Sequence, residues 1–196
     1  MKPKTALHTA VVMLLAFVSL LSTKLWAADV DYRLPSSVTP TFQKIHLNID
    51  PDDPDYSGTT DIEVTVNSET SKVGFYQQDL TILSAMLVSK SESIPLTVSI
   101  GDYDINWGTA QKAIAPGKYT LRINFEGKVN TSSDGMYLSK FEEKNYIFTQ
   151  FEDMHARKAF PSFDEPIFKI AYQMSISAPE HQVVVGNTPV VKTSVN

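Results

Sequence analysis

Beyond an apolar amino-terminal run, the hydrophobic positions of this chain recur with a period of two. Ile45, Leu47 and Ile49 alternate with Lys44, His46 and Asn48, and Ile62, Val64 and Val66 alternate with Asp61, Glu63, Thr65 and Asn67. The pattern returns at Leu96, Val98 and Ile100, at Tyr119, Leu121, Ile123 and Phe125, and at Ile170, Tyr172, Met174 and Ile176. Successive side chains of a strand point to opposite faces, so each run predicts a half-buried strand with one polar face. Turn-forming clusters separate the runs: Pro51-Asp52-Asp53-Pro54-Asp55, Pro116-Gly117, Ser132-Ser133-Asp134-Gly135 and Pro179-Glu180. No window of a dozen residues here carries a helical stripe. The expected fold is therefore all-β, an antiparallel β-sandwich or saddle-shaped pair of curved sheets. Val183-Val184-Val185 followed by Gly186-Asn187-Thr188-Pro189 is expected as a strand and turn, and Val190 to Val195 as the start of a further strand. That last strand would lack its return partner, so the domain is expected to be incomplete at its carboxy-terminal end.

The amino-terminal run has a different logic. Ala10 to Leu21 is apolar or small throughout, preceded by Lys2 and Lys4 and followed by Leu25-Trp26-Ala27-Ala28. A basic start, an apolar stretch shorter than the ~20 residues that span a bilayer, and small residues at a cleavage point predict a signal-peptide helix over residues 1–27. The expected product is an exported domain, residues 28–196, periplasmic or secreted and with no membrane attachment after cleavage. Removing Lys2, Lys4 and Lys24 from the 17 basic residues leaves 14 against 22 acidic ones, a net charge of about −8. Such a balance argues against nucleic acid as a partner. Without cysteine there is no disulfide, thiol chemistry or Cys-based metal site. Asn130-Thr131-Ser132 is a formal glycosylation acceptor.

Acids, bases and aromatics crowd into the segment from Thr149 to Pro166. On charge content alone a solvated, salt-bridged surface loop would account for it, whereas loops on a rigid scaffold are also where binding groups concentrate. Within it, Arg157 is expected to pair with Asp164 or Glu165 and pin the loop, while Phe160, Pro161, Phe163 and Pro166 stiffen it. Adjacent acids in an extended chain point oppositely, which speaks against Asp164 and Glu165 as a cooperating acid–base pair. His8, His46, His155 and His181 include no i, i+4 pair, so no helix face can present two imidazoles to one metal ion.

The order of residues in this segment, Thr149-Gln150-Phe151-Glu152, Ala156-Arg157, Ala159-Phe160-Pro161 and Phe163-Asp164-Glu165-Pro166 with Lys169, resembles the signature that closes the amino-terminal domain of the aminopeptidase N family, the gluzincin zinc aminopeptidases. Further pieces agree in order: Tyr32-Arg33-Leu34-Pro35 with Val38 and Pro40, Tyr56-Ser57-Gly58, Phe125-Glu126-Gly127, and Asp134-Gly135-Met136-Tyr137-Leu138-Ser139. Ser162 stands where many relatives carry Cys, and His155 where they carry a small residue. The resemblance implies a domain that anchors the protonated α-amine of a peptide through Glu152, with Gln150 beside it, and that partners a catalytic domain. Extended geometry would put Gln150 and Glu152 on one face and turn Phe151 toward the core. It also implies zinc in the full-length enzyme, held by a His-Glu-x-x-His helix and a later Glu, after a Gly-x-Met-Glu-Asn motif. Neither motif occurs here, so no catalytic or metal-binding residue and no cofactor is expected in this chain. The alternative is a stand-alone, non-catalytic β-sandwich module that binds peptides or proteins.

Overall fold

The computed structural model, which describes residues 32–195, has ten strands, β1 (Val38–Asn48), β2 (Asp55–Val66), β3 (Thr70–Tyr76), β4 (Thr81–Val88), β5 (Ser93–Ile100), β6 (Ile105–Ile114), β7 (Gly117–Lys128), β8 (Gly135–Phe141), β9 (Lys144–Gln150) and β10 (Ala171–Ser177), and the five period-two runs centre on β1, β2, β5, β7 and β10. The signal peptide expected over residues 1–27 lies outside the described residues. Eight strands form one sheet in the order β10-β1-β2-β7-β4-β5-β6-β3, and β8 and β9 pair as a separate hairpin.

The large sheet curls because β5 changes partners along its length. Ser93 to Leu96 pair with β4, whereas Thr97 to Ile100 pair with β6. A strand that leaves one ladder for another makes a corner. Inward residues of β2, β4 and β7 (Ile62, Val64, Leu87, Leu121, Ile123) then meet those of β3 and β6 (Val73, Phe75, Ile105, Ile114) in one core. Ile62, Leu87, Leu121, Ile123 and Phe75 are fully buried; emptying such a site to alanine costs about 2–5 kcal/mol. A second cluster, built on Ile45, Leu47, Tyr56, Phe125, Met136, Ala159 and Phe160, lies under the segment that follows β9.

The all-β expectation holds with one refinement, and two further expectations are corrected. The sheet is antiparallel except at one edge, where β10 runs parallel to β1, with Met174 beside Ile45 and Ile176 beside Leu47. The apolar face of β10 is largely open: Tyr172 is 58% and Met174 38% exposed. Residues 183–195 form no strand, and Val185 and Val191 are 88% and 95% exposed. A β-branched run favours a pleated, half-buried surface, and without a ladder to join it stays irregular.

Candidate functional site

Beyond β9 the chain runs through a turn at residues 152–155 and a 3-10 turn (Ala156–Lys158), then returns to the sheet. Phe151 turns inward onto the second core cluster and meets Phe160 edge-on, ring centroids 5.5 Å apart. Tyr76, at the end of β3, exchanges two backbone hydrogen bonds with Ser162, at 2.8 and 3.1 Å. The buried Gln43 side chain on β1 donates to the Pro161 carbonyl at 3.0 Å and to Thr60 Oγ1 at 2.8 Å. The segment is thus stitched to the edge strand β3 and, across the curled sheet, to β1.

Four of its charges, Arg157, Lys158, Asp164 and Glu165, are committed to internal contacts. Arg157, 5% exposed, donates through Nε to Asp164 Oδ2 at 2.9 Å and through Nη2 to the Asp164 carbonyl at 2.9 Å. Its guanidinium also lies 4.0 Å over the Tyr76 ring and 3.5 Å from Asp104. A planar fork can satisfy an acid, a carbonyl and an aromatic face together, which an ammonium cannot. Glu165 turns the other way and accepts from the Leu34 amide at 2.6 Å and the Tyr76 hydroxyl at 2.9 Å. Burial, then the Glu165 hydrogen bond, pushes the Tyr76 phenol above its ordinary pKa, keeping it a neutral donor.

The short motifs scattered along the sequence converge on the same segment. Tyr56 on β2 donates to the Ala159 carbonyl at 2.9 Å, and its ring rests across Gly127 on β7, where a Cβ would fall 2.5 Å from it. Phe125 meets Tyr56 edge-on and packs over Gly58. Burial raises the Tyr56 phenol above its ordinary value as well. Gly135 has φ of 65° and lies against Lys158, whose ammonium pairs with Asp134. The Lys158 hydrogen bond, then that of Ser132, holds the Asp134 carboxyl below the usual carboxylate range. Reading the sequence assigned no role to Tyr56, Tyr76, Gly127 or Asp104. For Tyr56 and Gly127 the signal was an aromatic and a glycine that stand opposite each other on paired strands.

Gln150 is the last residue of β9, and Glu152 lies in the turn rather than on a continuing strand. The two remain linked, since the Glu152 amide donates to Gln150 Oε1 at 3.1 Å. Both are exposed, and the Glu152 carboxylate has no hydrogen-bond or ion-pair partner among the described residues. A cleft of about 970 Å³ is lined by Asp50, Asp53, Asp79, Glu126 and Lys128 and by Lys158 of the segment, among others, but not by Gln150 or Glu152. His155 Nε2 is 3.9 Å from Asp134, and its buried Nδ1 has no partner. The Asn130 amide nitrogen donates to the Asp134 side chain and carbonyl, while its oxygen accepts from Thr131 and Ser132, so the formal glycosylation acceptor is engaged within its own turn. Among the described residues no group of three or more His, Cys, Asp or Glu is placed to hold a metal ion.

A model of the peptidase M1 N-terminal domain matches residues 39–196. Aminopeptidase N of Acetobacter pasteurianus is 29% identical over 174 residues, 83% of this chain and 46% of that protein. The puromycin-sensitive aminopeptidase of Caenorhabditis elegans is 30% identical over 168 residues, 81% of this chain and 18% of its own length. Endoplasmic reticulum aminopeptidase 1 of Rattus norvegicus is 28% identical over 172 residues, 82% of this chain and 18% of its own. The chain therefore spans less than half the length of each.

Proposed function

The chain belongs to the peptidase M1 N-terminal domain family, and from that premise we propose that it is the substrate-anchoring domain of an exported zinc aminopeptidase. In this role Glu152, with Gln150 beside it, holds the protonated α-amine of a peptide. One observation carries the residue assignment: the Glu152 carboxylate is exposed and unpaired, and its backbone amide is held by Gln150, on a segment whose Arg157, Lys158, Asp164 and Glu165 are tied down; the neighbouring Asp153 is exposed too but has no such link to Gln150. A carboxylate spared from the internal network is available to an incoming cation, and the fixed turn limits the ordering cost of binding. An exposed carboxylate alone holds an ammonium weakly. Full strength requires a second surface that excludes water, and a catalytic domain closing over the turn would supply it. Zinc and the base that activates water belong to that domain in this reading, since the residues described here do not fit a zinc site.

Titrating the labelled chain with a free-amine dipeptide amide and with its N-acetyl counterpart tests the assignment by NMR. The free amine is expected to shift the amides of residues 150–155, and the acetylated peptide is not. Glu152→Gln should erase the difference, and equal binding of both peptides by the unaltered chain would sink the reading. In an enzyme containing this chain, Glu152→Ala should cost about 2–4 kcal/mol in kcat/KM for free-amine substrates, the range for breaking a desolvated charge pair. A stand-alone peptide-binding module is the second reading, favoured by the single unit Arg33–Asn196 with its own core.

A further inference from the structure

The register of the β8–β9 hairpin sorts its side chains onto two unlike faces. Met136, Leu138 and Ile147 share the inner face, where Met136 is 2% exposed. Tyr137 stands opposite Phe148 and Ser139 opposite Tyr146 on the outer face, and Gln150 follows Phe148 on that side. Phe148 is 50% and Tyr146 40% exposed, yet the rings are aligned rather than splayed. Tyr137 and Phe148 lie 6.0 Å apart at 30°, and Phe148 and Tyr146 lie 6.5 Å apart at 26°. Cross-strand pairing accounts for Tyr137 against Phe148. It does not account for a third ring extending the row, nor for exposed rings on the strand that leads through Gln150 to Glu152.

We propose that this aromatic strip is a subsite for a large apolar or aromatic side chain at the first or second position of a peptide whose amine meets Glu152. The proposal rests on the anchoring role given to Glu152 above. Two pieces of geometry and one of charge support this occupant. Phe148 and Gln150 are two residues apart on one face, about 7 Å along the strand, which is the side-chain repeat of an extended peptide. The Gln150 side chain is fixed to the Glu152 amide, so the polar end and the apolar row keep a set spacing. Glu152 and its exposed neighbour Asp153 stand at the Gln150 end, so the complementary ligand has a cation at one end and an apolar group next to it. An amino-terminal Phe, Leu or Tyr has that form; an acetylated or Gly-headed peptide lacks one half of it.

The test is a set of NMR titrations of the 196-residue chain with Phe-, Leu- and Gly-headed dipeptide amides. The unaltered chain is expected to bind the Phe-headed peptide about tenfold more tightly than the Gly-headed one, as an added aromatic contact allows. Phe148→Ser should remove most of that discrimination and leave Gly-headed affinity unchanged, Phe148→Leu should keep part of it, and Tyr146→Ser should reduce it less. Glu152→Gln should weaken both peptides by a similar factor. Equal affinity for Phe- and Gly-headed peptides would overturn the strip while leaving the amine assignment standing. Side-chain discrimination that survives together with free-amine indifference would support the strip and overturn the amine assignment. Concentration-dependent shifts of Tyr146 and Phe148 without any response to peptide would assign the row to self-association and overturn the proposal.

Discussion

Single side chains decide how firmly the turn after β9 is held. At Gly127 any Cβ would lie 2.5 Å from the Tyr56 ring, so the ring would have to leave the position from which its hydroxyl reaches the Ala159 carbonyl. Gly127→Ala should destabilise the chain by about 1–3 kcal/mol, the usual cost of overpacking, measured by denaturant unfolding. Arg157→Ala should cost more, about 3–5 kcal/mol, since it leaves Asp164 only partly exposed and without its cation. Asp134 makes the sign of a pH effect readable. Its folded pKa is depressed, first by the Lys158 hydrogen bond, so its contribution is complete above the unfolded carboxylate value and is lost as pH falls through the folded one. Asp134→Asn should therefore melt below the unaltered chain at pH 7, and the gap should close progressively below about pH 4. A gap that stays constant down to acid pH would show that the Lys158 contact contributes nothing through charge.

Among the elements, legibility in the sequence followed one-sided burial. β2 and β7 bury alternate residues, Ile62, Val64 and Val66 against Leu121, Ile123 and Phe125, and their period is plain. β3 ends in four consecutive buried residues, Val73 to Tyr76, and β6 interrupts its alternation with an exposed run, so neither strand announces itself by period. The motif that marks the turn was legible as a block. What it touches was not, because Tyr56, Gly127, Gly135 and Leu34 reach it from strands and loops far away in sequence. β10 is the reverse case, a clear apolar alternation whose burial failed. Periodicity reports which side chains share a face, whereas burial depends on what lies over that face. Tyr172→Ser on this open face should change stability by less than about 0.5 kcal/mol, while Ile45→Ala on neighbouring β1 should cost about 2–4 kcal/mol. Parallel unfolding curves of the two variants check the contrast, and a large loss at Tyr172 would mean that the open face is covered in solution.

At the scale of the whole chain, the proposed reading separates binding from hydrolysis. His46 is occupied by Ser175 and Asn48, His155 faces Asp134, and His181 lies beside Gln182, so the described imidazoles sit in three unconnected places. Zinc needs three or four converging ligands in near-tetrahedral array. No such array occurs among the described residues, and no two of the histidines in the full sequence stand four residues apart. The 196-residue chain is therefore expected to turn over no aminoacyl anilide and to gain nothing from zinc, while a free-amine peptide still perturbs the turn at Glu152. Thermodynamic linkage makes the metal half of this sharp. A ligand that binds only the folded state at a hundred times its Kd stabilises it by about 2.7 kcal/mol, which a thermal melt reads easily. Melts with and without excess zinc should superimpose, and a chelator should change neither the melt nor the peptide-induced shifts. One tightly bound zinc per chain, together with hydrolysis, would place catalysis within these residues and end the division of labour. Peptide shifts that need zinc would do the same for the anchoring role.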